Sequence, residues 1–317
     1  MAVYTKVSYD QMKILLNKYE IGNFLSMSEI KEGVENSNFK ITTDKDNYIL
    51  TIYEKRVNEK DLPYFINLME YLNNNGVNCP KPINDKYGLK FQEIKNKKSL
   101  LTTFLSGGSL KDINKDHCYE LGKSLANFHL QGKDFIQKRY NDLGYKSWLN
   151  LFKKGINPLN SDNNSDFKIF ENIIIDTVNN WPRHLPKGNI HADLFPNNVF
   201  FTNDKISGII DFYFACYDIL AYDIAICINS WCFNEKNIFI IDRAHSMILG
   251  YSSVKILTNE ETDNLILLSK GAAIRFYLTR LFDWYNTPSN SNVSKLDPQE
   301  FYNKVLFFNN LKTLGFN

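Results

Sequence analysis

The sequence predicts an α+β protein built as two lobes, a small antiparallel-sheet lobe followed by a larger, mainly helical one. Three observations carry this. The first third of the 317 residues alternates short β-branched or aromatic runs with polar turns, the remainder places its apolar residues at helical spacing, and the texture changes at Ser106-Gly107-Gly108. The lobes are therefore read as residues 1–105 and 106–317.

The elements follow in order. Residues 8–19 carry Met12, Leu15 and Leu16 on one helical face, with Ser8 as N-cap. Residues 39–42 and 48–53 are two strands, and Thr43-Asp44-Lys45-Asp46-Asn47 between them makes an antiparallel hairpin. Residues 59–75 form a helix on the spacing of Leu62, Phe65, Leu68, Met69 and Leu72, stopped by Gly76. Cys79-Pro80-Lys81-Pro82 breaks the chain before two more strands, at 89–94 and 99–105. Beyond residue 108, helices are predicted over 116–133, 167–180, 222–231, 237–251, 260–285 and 298–313. One stretch interrupts them: 188–212 loses the helical period and reads as a polar loop followed by apolar runs at 199–202 and 206–212.

Composition narrows the function. Lys plus Arg number 37 and Asp plus Glu 35, a net charge of +2, so there is no electrostatic case for nucleic acid or an anionic membrane as partner. Cys79, Cys118, Cys216, Cys227 and Cys232 are odd in number and scattered, the pattern of small buried hydrophobes in a reducing compartment rather than of disulfides. The first ten residues contain no apolar signal core. The most apolar stretch, 206–231, contains Asp211, Asp218 and Asp223, each costing about 2.5–3.5 kcal/mol at a bilayer centre. The expectation is a soluble cytoplasmic protein, monomer or homodimer, without a nucleic-acid or membrane partner. Trp148, Trp181 and Trp284 are read as core.

The chemistry concentrates in His191-Ala192-Asp193-Leu194-Phe195-Pro196-Asn197-Asn198 and, past a strand, Ile209-Ile210-Asp211-Phe212. Phosphoryl transfer needs one carboxylate to orient and deprotonate the attacking hydroxyl, and further oxygen ligands to hold Mg²⁺ on nucleotide phosphates. Oxygen-only donors suit a hard cation and argue against zinc. This segment resembles the His-x-Asp-x-x-x-x-Asn catalytic loop of the protein-kinase-like superfamily, and Asp211 resembles its metal-binding Asp, with Tyr213 where protein kinases carry Gly. The resemblance implies a bilobed protein-kinase-like fold with ATP in the cleft, Asp193 as catalytic base, and Asn198 and Asp211 as metal ligands. His191 is expected to hold the loop by hydrogen bonds.

The nucleotide is expected against Gly33, Val34, Asn36, Ser37 and Asn38, where a glycine admits phosphate and polar side chains donate hydrogen bonds. Thr103, Phe104 and Leu105 stand where the superfamily runs its hinge past adenine. No G-x-x-x-x-G-K-[ST] is present. Related kinases place a cation on the second hairpin strand, where this chain has Thr51. Lys55, Arg56, Glu59 and Glu70 are weak substitutes for that cation and its acidic partner.

Several dispersed segments together are similar to the homoserine kinases of the aminoglycoside-phosphotransferase-like branch. They are Gly33-Val34-Glu35-Asn36-Ser37-Asn38-Phe39, Tyr53-Glu54-Lys55-Arg56-Val57, Asp61-Leu62-Pro63, residues 191–201, Ile210-Asp211-Phe212-Tyr213-Phe214-Ala215-Cys216, Ala221-Tyr222-Asp223-Ile224-Ala225 and Ser230-Trp231-Cys232-Phe233. This resemblance implies phosphorylation of the side-chain hydroxyl of L-homoserine by ATP with Mg²⁺. A small zwitterion requires a cation for its carboxylate and an acid for its ammonium. Tyr213, Asp218 and Arg275 are the substrate candidates, and Arg280 is expected to pair with Asp283 three residues on. Another small alcohol as acceptor, or a non-catalytic binding module on the same fold, are the competing readings.

Overall fold

The computed structural model describes residues 5–30, 36–54, 58–155, 165–287 and 295–315. Gly33, Val34, Lys55 and Arg56 lie outside them. The first lobe is a five-stranded antiparallel sheet in the order β1-β2-β3-β5-β4, formed by β1 (Phe24–Ile30), β2 (Ser37–Thr43), β3 (Asn47–Ile52), β4 (Phe91–Ile94) and β5 (Lys97–Thr103). Alternation along the strands gives the sheet two unlike faces. Phe39, Ile41, Leu50, Ile52 and Leu101 are buried against Met12, Leu15 and Leu16 of helix α1 (Tyr9–Leu16). Each such side chain contributes roughly 1.5–3 kcal/mol on burial. Ser8 caps α1 as expected, in a reciprocal capping box with Gln11. Asn38, Lys40, Ile49, Thr51, Leu100 and Thr102 occupy the opposite face.

Helix α2 (Leu62–Asn74) ends at Gly76, whose φ of +86° only glycine takes without strain. Its apolar face, including Leu62, Phe65, Leu68 and Leu72, joins the large core that runs from Tyr53 and Leu100 into the second lobe, rather than the small core between the sheet and α1.

The second lobe contains α3 (Lys115–Gln131), α4 (Trp148–Gly155), α5 (Ser165–Asn179), α6 (Leu220–Trp231), α7 (Ile241–Ser252), α8 (Asn259–Asp263), α9 (Leu265–Asn286) and α10 (Gln299–Asn310). Two short antiparallel pairs are inserted among them. They are β6 (Lys187–Ile190) with β9 (Cys216–Ile219), and β7 (Val199–Thr202) with β8 (Lys205–Ile209). The linker between lobes docks on this second pair, Gly108 and Phe201 exchanging backbone hydrogen bonds at 3.2 and 2.9 Å.

Four elements are additional to the sequence expectation. The burial of β1, an edge strand, does not alternate, so it lacks the period-2 signal. β6 and β9 have four residues each, and α4 has eight, too short for a period to show. The helix expected over 260–285 is broken at Asn264 into α8, capped by Thr258, and α9. Trp148 and Trp181 are core, whereas Trp284 is 41% exposed at the end of α9. All five cysteines are buried free thiols. Among the described residues, no helix is long and apolar enough to cross a membrane.

Candidate active site

β6 delivers the chain into the loop 191–195, and a single 3-10 turn (Pro196–Asn198) leads out of it into β7. Asn198 Nδ2 donates to the Asp193 carbonyl at 2.8 Å and to Asp193 Oδ2 at 3.2 Å. That use of the amide nitrogen leaves the amide oxygen of Asn198 as the donor atom for any cation. Across the β7–β8 hairpin, Ile210 N–H donates to the Asn198 carbonyl at 2.9 Å, and Asp211 follows immediately. The hairpin therefore brings Asp193, Asn198 and Asp211 to one place at its open end. The Asp211 carboxylate also lies close enough to Tyr53, at the end of β3, to add to the rise that burial imposes on that phenol.

Two non-glycine residues here have left-handed backbones, Ala192 at φ +64° and Asp211 at φ +68°. Such positions cost about 1–3 kcal/mol and persist where surroundings over-determine them. At Ala192 the surroundings are explicit. Its N–H donates to Asp223 Oδ1 at 2.8 Å, and its carbonyl accepts from the Arg275 guanidinium. Asp223, fully buried in α6, also accepts from His191 N–H at 2.7 Å through Oδ2. The same oxygen lies 3.2 Å from His129 Nε2 of α3, and His129 Nδ1 lies 2.8 Å from the Tyr251 hydroxyl of α7. Burial raises the Asp223 carboxyl, but these hydrogen bonds and the two histidines outweigh it, so its pKa lies below the ordinary value. The His191 ring lies against the Asp193 N–H through Nδ1 at 3.3 Å and the Ile210 carbonyl through Nε2 at 2.9 Å, which fixes a neutral tautomer with the proton on Nε2. Burial lowers its pKa to about 4. His191 is thus a strut between the loop and β8.

On the first lobe, Asn36 Oδ1 accepts from Glu54 N–H at 3.2 Å, Ser37 Oγ donates to Glu54 Oε1 at 2.7 Å, and Asn38 Oδ1 accepts from Thr51 Oγ1 at 2.7 Å. The side chains of all three thus engage β3 or the residues just past it. Thr51, on the sheet face opposite α1, has Asn38 as its partner. Glu54 pairs with Lys97 at the start of β5. Burial raises the Glu54 carboxyl, but bonds from Lys97, Thr5 and Ser37 outweigh it and lower its pKa. Glu70 is taken by Lys90 at 2.5 Å. Thr103 exchanges backbone and side-chain hydrogen bonds with Lys81, Phe104 N–H donates to the Asn47 carbonyl at 3.3 Å, and Leu105 lies against Gly208. Lys40 Nζ stands 4.5 Å from the centre of the Phe104 ring.

On the acceptor side, the Tyr213 ring meets Tyr53 edge-on at 5.5 Å and Phe65 at 6.0 Å. Asp218 accepts from Asn141 Nδ2 and from Ile219 N–H, both at 2.8 Å, and burial raises its pKa. Arg275 is 2% exposed, beneath the loop, with its guanidinium over Phe276 at 4.5 Å and Phe214 at 5.3 Å. Arg280 finds its carboxylate on α10, at Glu300, 2.6 Å away. Sequence reasoning passed over His129, Tyr251 and Asn141. The one available signal was a histidine on an otherwise apolar face of α3.

Comparison with known proteins agrees with this architecture. Residues 26–257 match the model of the phosphotransferase enzyme family. The chain is 46% identical to a homoserine kinase of Paramagnetospirillum magneticum over 97% of this chain and 96% of that protein. It is 43% identical to a homoserine kinase of Bartonella henselae over 99% of each. Among solved structures, an amicoumacin kinase in complex with AMP-PNP and Ca²⁺ superposes with a TM-score of 0.70 at 17% identity, covering 95% of this chain and 92% of that one. The fold is that of these kinases, and the chain belongs to the phosphotransferase enzyme family, in the branch of the homoserine kinases.

Proposed function

We propose that the protein transfers the γ-phosphoryl group of ATP to the side-chain hydroxyl of L-homoserine, giving O-phospho-L-homoserine, a step of threonine synthesis. The observation that carries the reaction class is Asn198 bonded to Asp193 with Asp211 beside them. The full-length relatives carry the acceptor. In this reading residues 1–105 hold the nucleotide and 106–317 the acceptor. Hinge backbone at Thr103, Phe104 and Leu105 meets the adenine, and the segment with Gly33, Val34, Asn36, Ser37 and Asn38 serves the phosphates.

The donor set fits a hard divalent cation. Asn198 and Asp211 offer oxygen alone, and among the described residues no group of three or more His, Cys, Asp or Glu side chains stands together as a metal site. An ion with few protein ligands and several phosphate or water oxygens is the usual Mg²⁺ arrangement. When bound, Mg²⁺ supplies neutralisation of the charge on the transferred phosphoryl group. The protein's own contribution begins with Asp193. Its carboxylate accepts the hydrogen bond of the acceptor hydroxyl, aims the oxygen in line, and takes the proton as the O–P bond forms. Asn198 keeps that carboxylate in place. Tyr213, Asp218 and Arg275 line the acceptor side.

The test is ADP release across homoserine, serine, choline, methylthioribose and kanamycin, for the wild type and Asp193→Asn. Homoserine is expected to be the preferred acceptor, and the variant to lose about 10²–10⁴-fold in kcat with an unchanged melting temperature. Undiminished turnover in Asp193→Asn removes the base assignment. Preference for another alcohol removes the acceptor.

A further inference from the structure

The junction of β9 and α6 holds an unusual concentration of buried polar groups that the phosphoryl-transfer step does not use. Asp218 is the last but one residue of β9, and Tyr222 lies in the first turn of α6. The Tyr222 hydroxyl is fully buried and has no hydrogen-bond partner among the described residues. Arg275 Nε is likewise buried and without a partner among the described residues, although the same guanidinium bonds the Ala192 carbonyl. A buried donor left unpaired costs about 1–3 kcal/mol, more for a charged group. Two such donors are therefore costly unless a ligand uses them.

Asp218 presents the complementary problem. Its oxygens accept from two neutral donors, Asn141 Nδ2 and Ile219 N–H, and it makes no ion pair among the described residues. Burial is the main cause of the raised pKa of both Asp218 and Tyr222, and Arg275 lies close enough to oppose it in both. The three groups thus share one electrostatic neighbourhood. It abuts the catalytic loop directly, because Ala192, held by Arg275, precedes Asp193.

We infer that Asp218, Tyr222 and Arg275 form the recognition site for the α-amino-acid end of the acceptor, Asp218 taking the ammonium and the Tyr222 hydroxyl with Arg275 Nε–H taking the carboxylate. This rests on the kinase reading and adds to it an assignment of each charge of the zwitterion. Two donors match the two oxygens of a carboxylate, and an acid bonded to neutral donors matches an ammonium. With the head group held there, the two methylenes of homoserine extend its hydroxyl toward Asp193. Serine, one methylene shorter, is expected to be the poorer acceptor. Asn141 keeps the Asp218 carboxylate oriented and is a positioning residue.

The experiment uses acceptors that each lack one charge, 4-hydroxybutanoate without the ammonium and 3-aminopropan-1-ol without the carboxylate. Wild type, Asp218→Asn and Tyr222→Phe are assayed with both and with homoserine, and folding is checked by thermal melting. Asp218→Asn is expected to lower kcat/KM for homoserine and 3-aminopropan-1-ol at least tenfold and to leave 4-hydroxybutanoate within about twofold. Tyr222→Phe is expected to lower homoserine and 4-hydroxybutanoate about tenfold and to spare 3-aminopropan-1-ol. The KM for ATP stays constant in both. Equal losses on all three acceptors, or no loss on any, overturn the assignment. Tyr222→Phe keeps the ring and so preserves the test if Asp218→Asn melts early. Failure of the wild type to phosphorylate homoserine overturns the kinase reading itself, a result read before any variant is compared.

Discussion

His191 is the residue at which local chemistry becomes a solution property. In the unfolded chain an imidazole binds a proton near pH 6.5, whereas in the fold burial defers this to about pH 4. Between those values the unfolded state holds more protons, so stability falls as pH falls. The loss from this group between pH 7 and pH 5 is about 2 kcal/mol. His191→Gln, which preserves the bond to the Ile210 carbonyl, is expected to flatten that slope, measured as the difference in urea stability at the two pH values. Asp193, Asn198 and Asp211 could be singled out in the sequence because a short loop and one tight hairpin, β7–β8, separate them. His129 and Tyr251 could not, because His129 reaches Asp223 from a helix 94 residues away along the chain and Tyr251 reaches His129 across 122.

At the scale of elements, the crossing of α3 and α7 decides whether His129 and Tyr251 meet. The helices touch backbone to backbone through reciprocal glycines. A Cβ on Gly122 would stand 2.7 Å from Tyr251 N, and one on Gly250 would stand 2.8 Å from the Tyr119 carbonyl carbon. Neither neighbour can yield without parting the helices. Gly122→Ala is therefore expected to cost about 1–3 kcal/mol in urea denaturation. It is also expected to lower kcat more than the KM for ATP, since the strain propagates to Asp223 and the loop. The sequence told the long helices and the β2–β3 hairpin plainly, because their periods run for several turns or are framed by a polar turn. It was silent on β6 and β9, whose four residues acquire strand form from each other, and on β1, which borrows its form from β2.

For the whole molecule, the sequence boundary and the energetic boundary differ. Residues 1–105 read as one lobe, yet α2 places its apolar face in the large core that continues into the other. Polar contacts repeat the attachment. Tyr64 of α2 donates its hydroxyl to Asn189 of β6 at 2.8 Å, and Arg139 reaches Asp61 just ahead of α2 at 3.0 Å. Hydrogen exchange in the native state reads this partition directly, since amides open in the cooperative unit to which they belong. The amides of α2 are expected to exchange with those of α6 and α9, more slowly than those of β1 and β2. Exchange of α2 in step with the sheet would contradict it.

The allegiance of α2 also decides what swings. Under the proposed chemistry, a sheet and α1 that close as one jaw while α2 stays beside Tyr213 and the loop must bend on both sides of α2 as well as at residues 104–108. Under the proposed chemistry the amino acid is then selected on an immobile surface, and the stroke that closes over it carries the nucleotide alone.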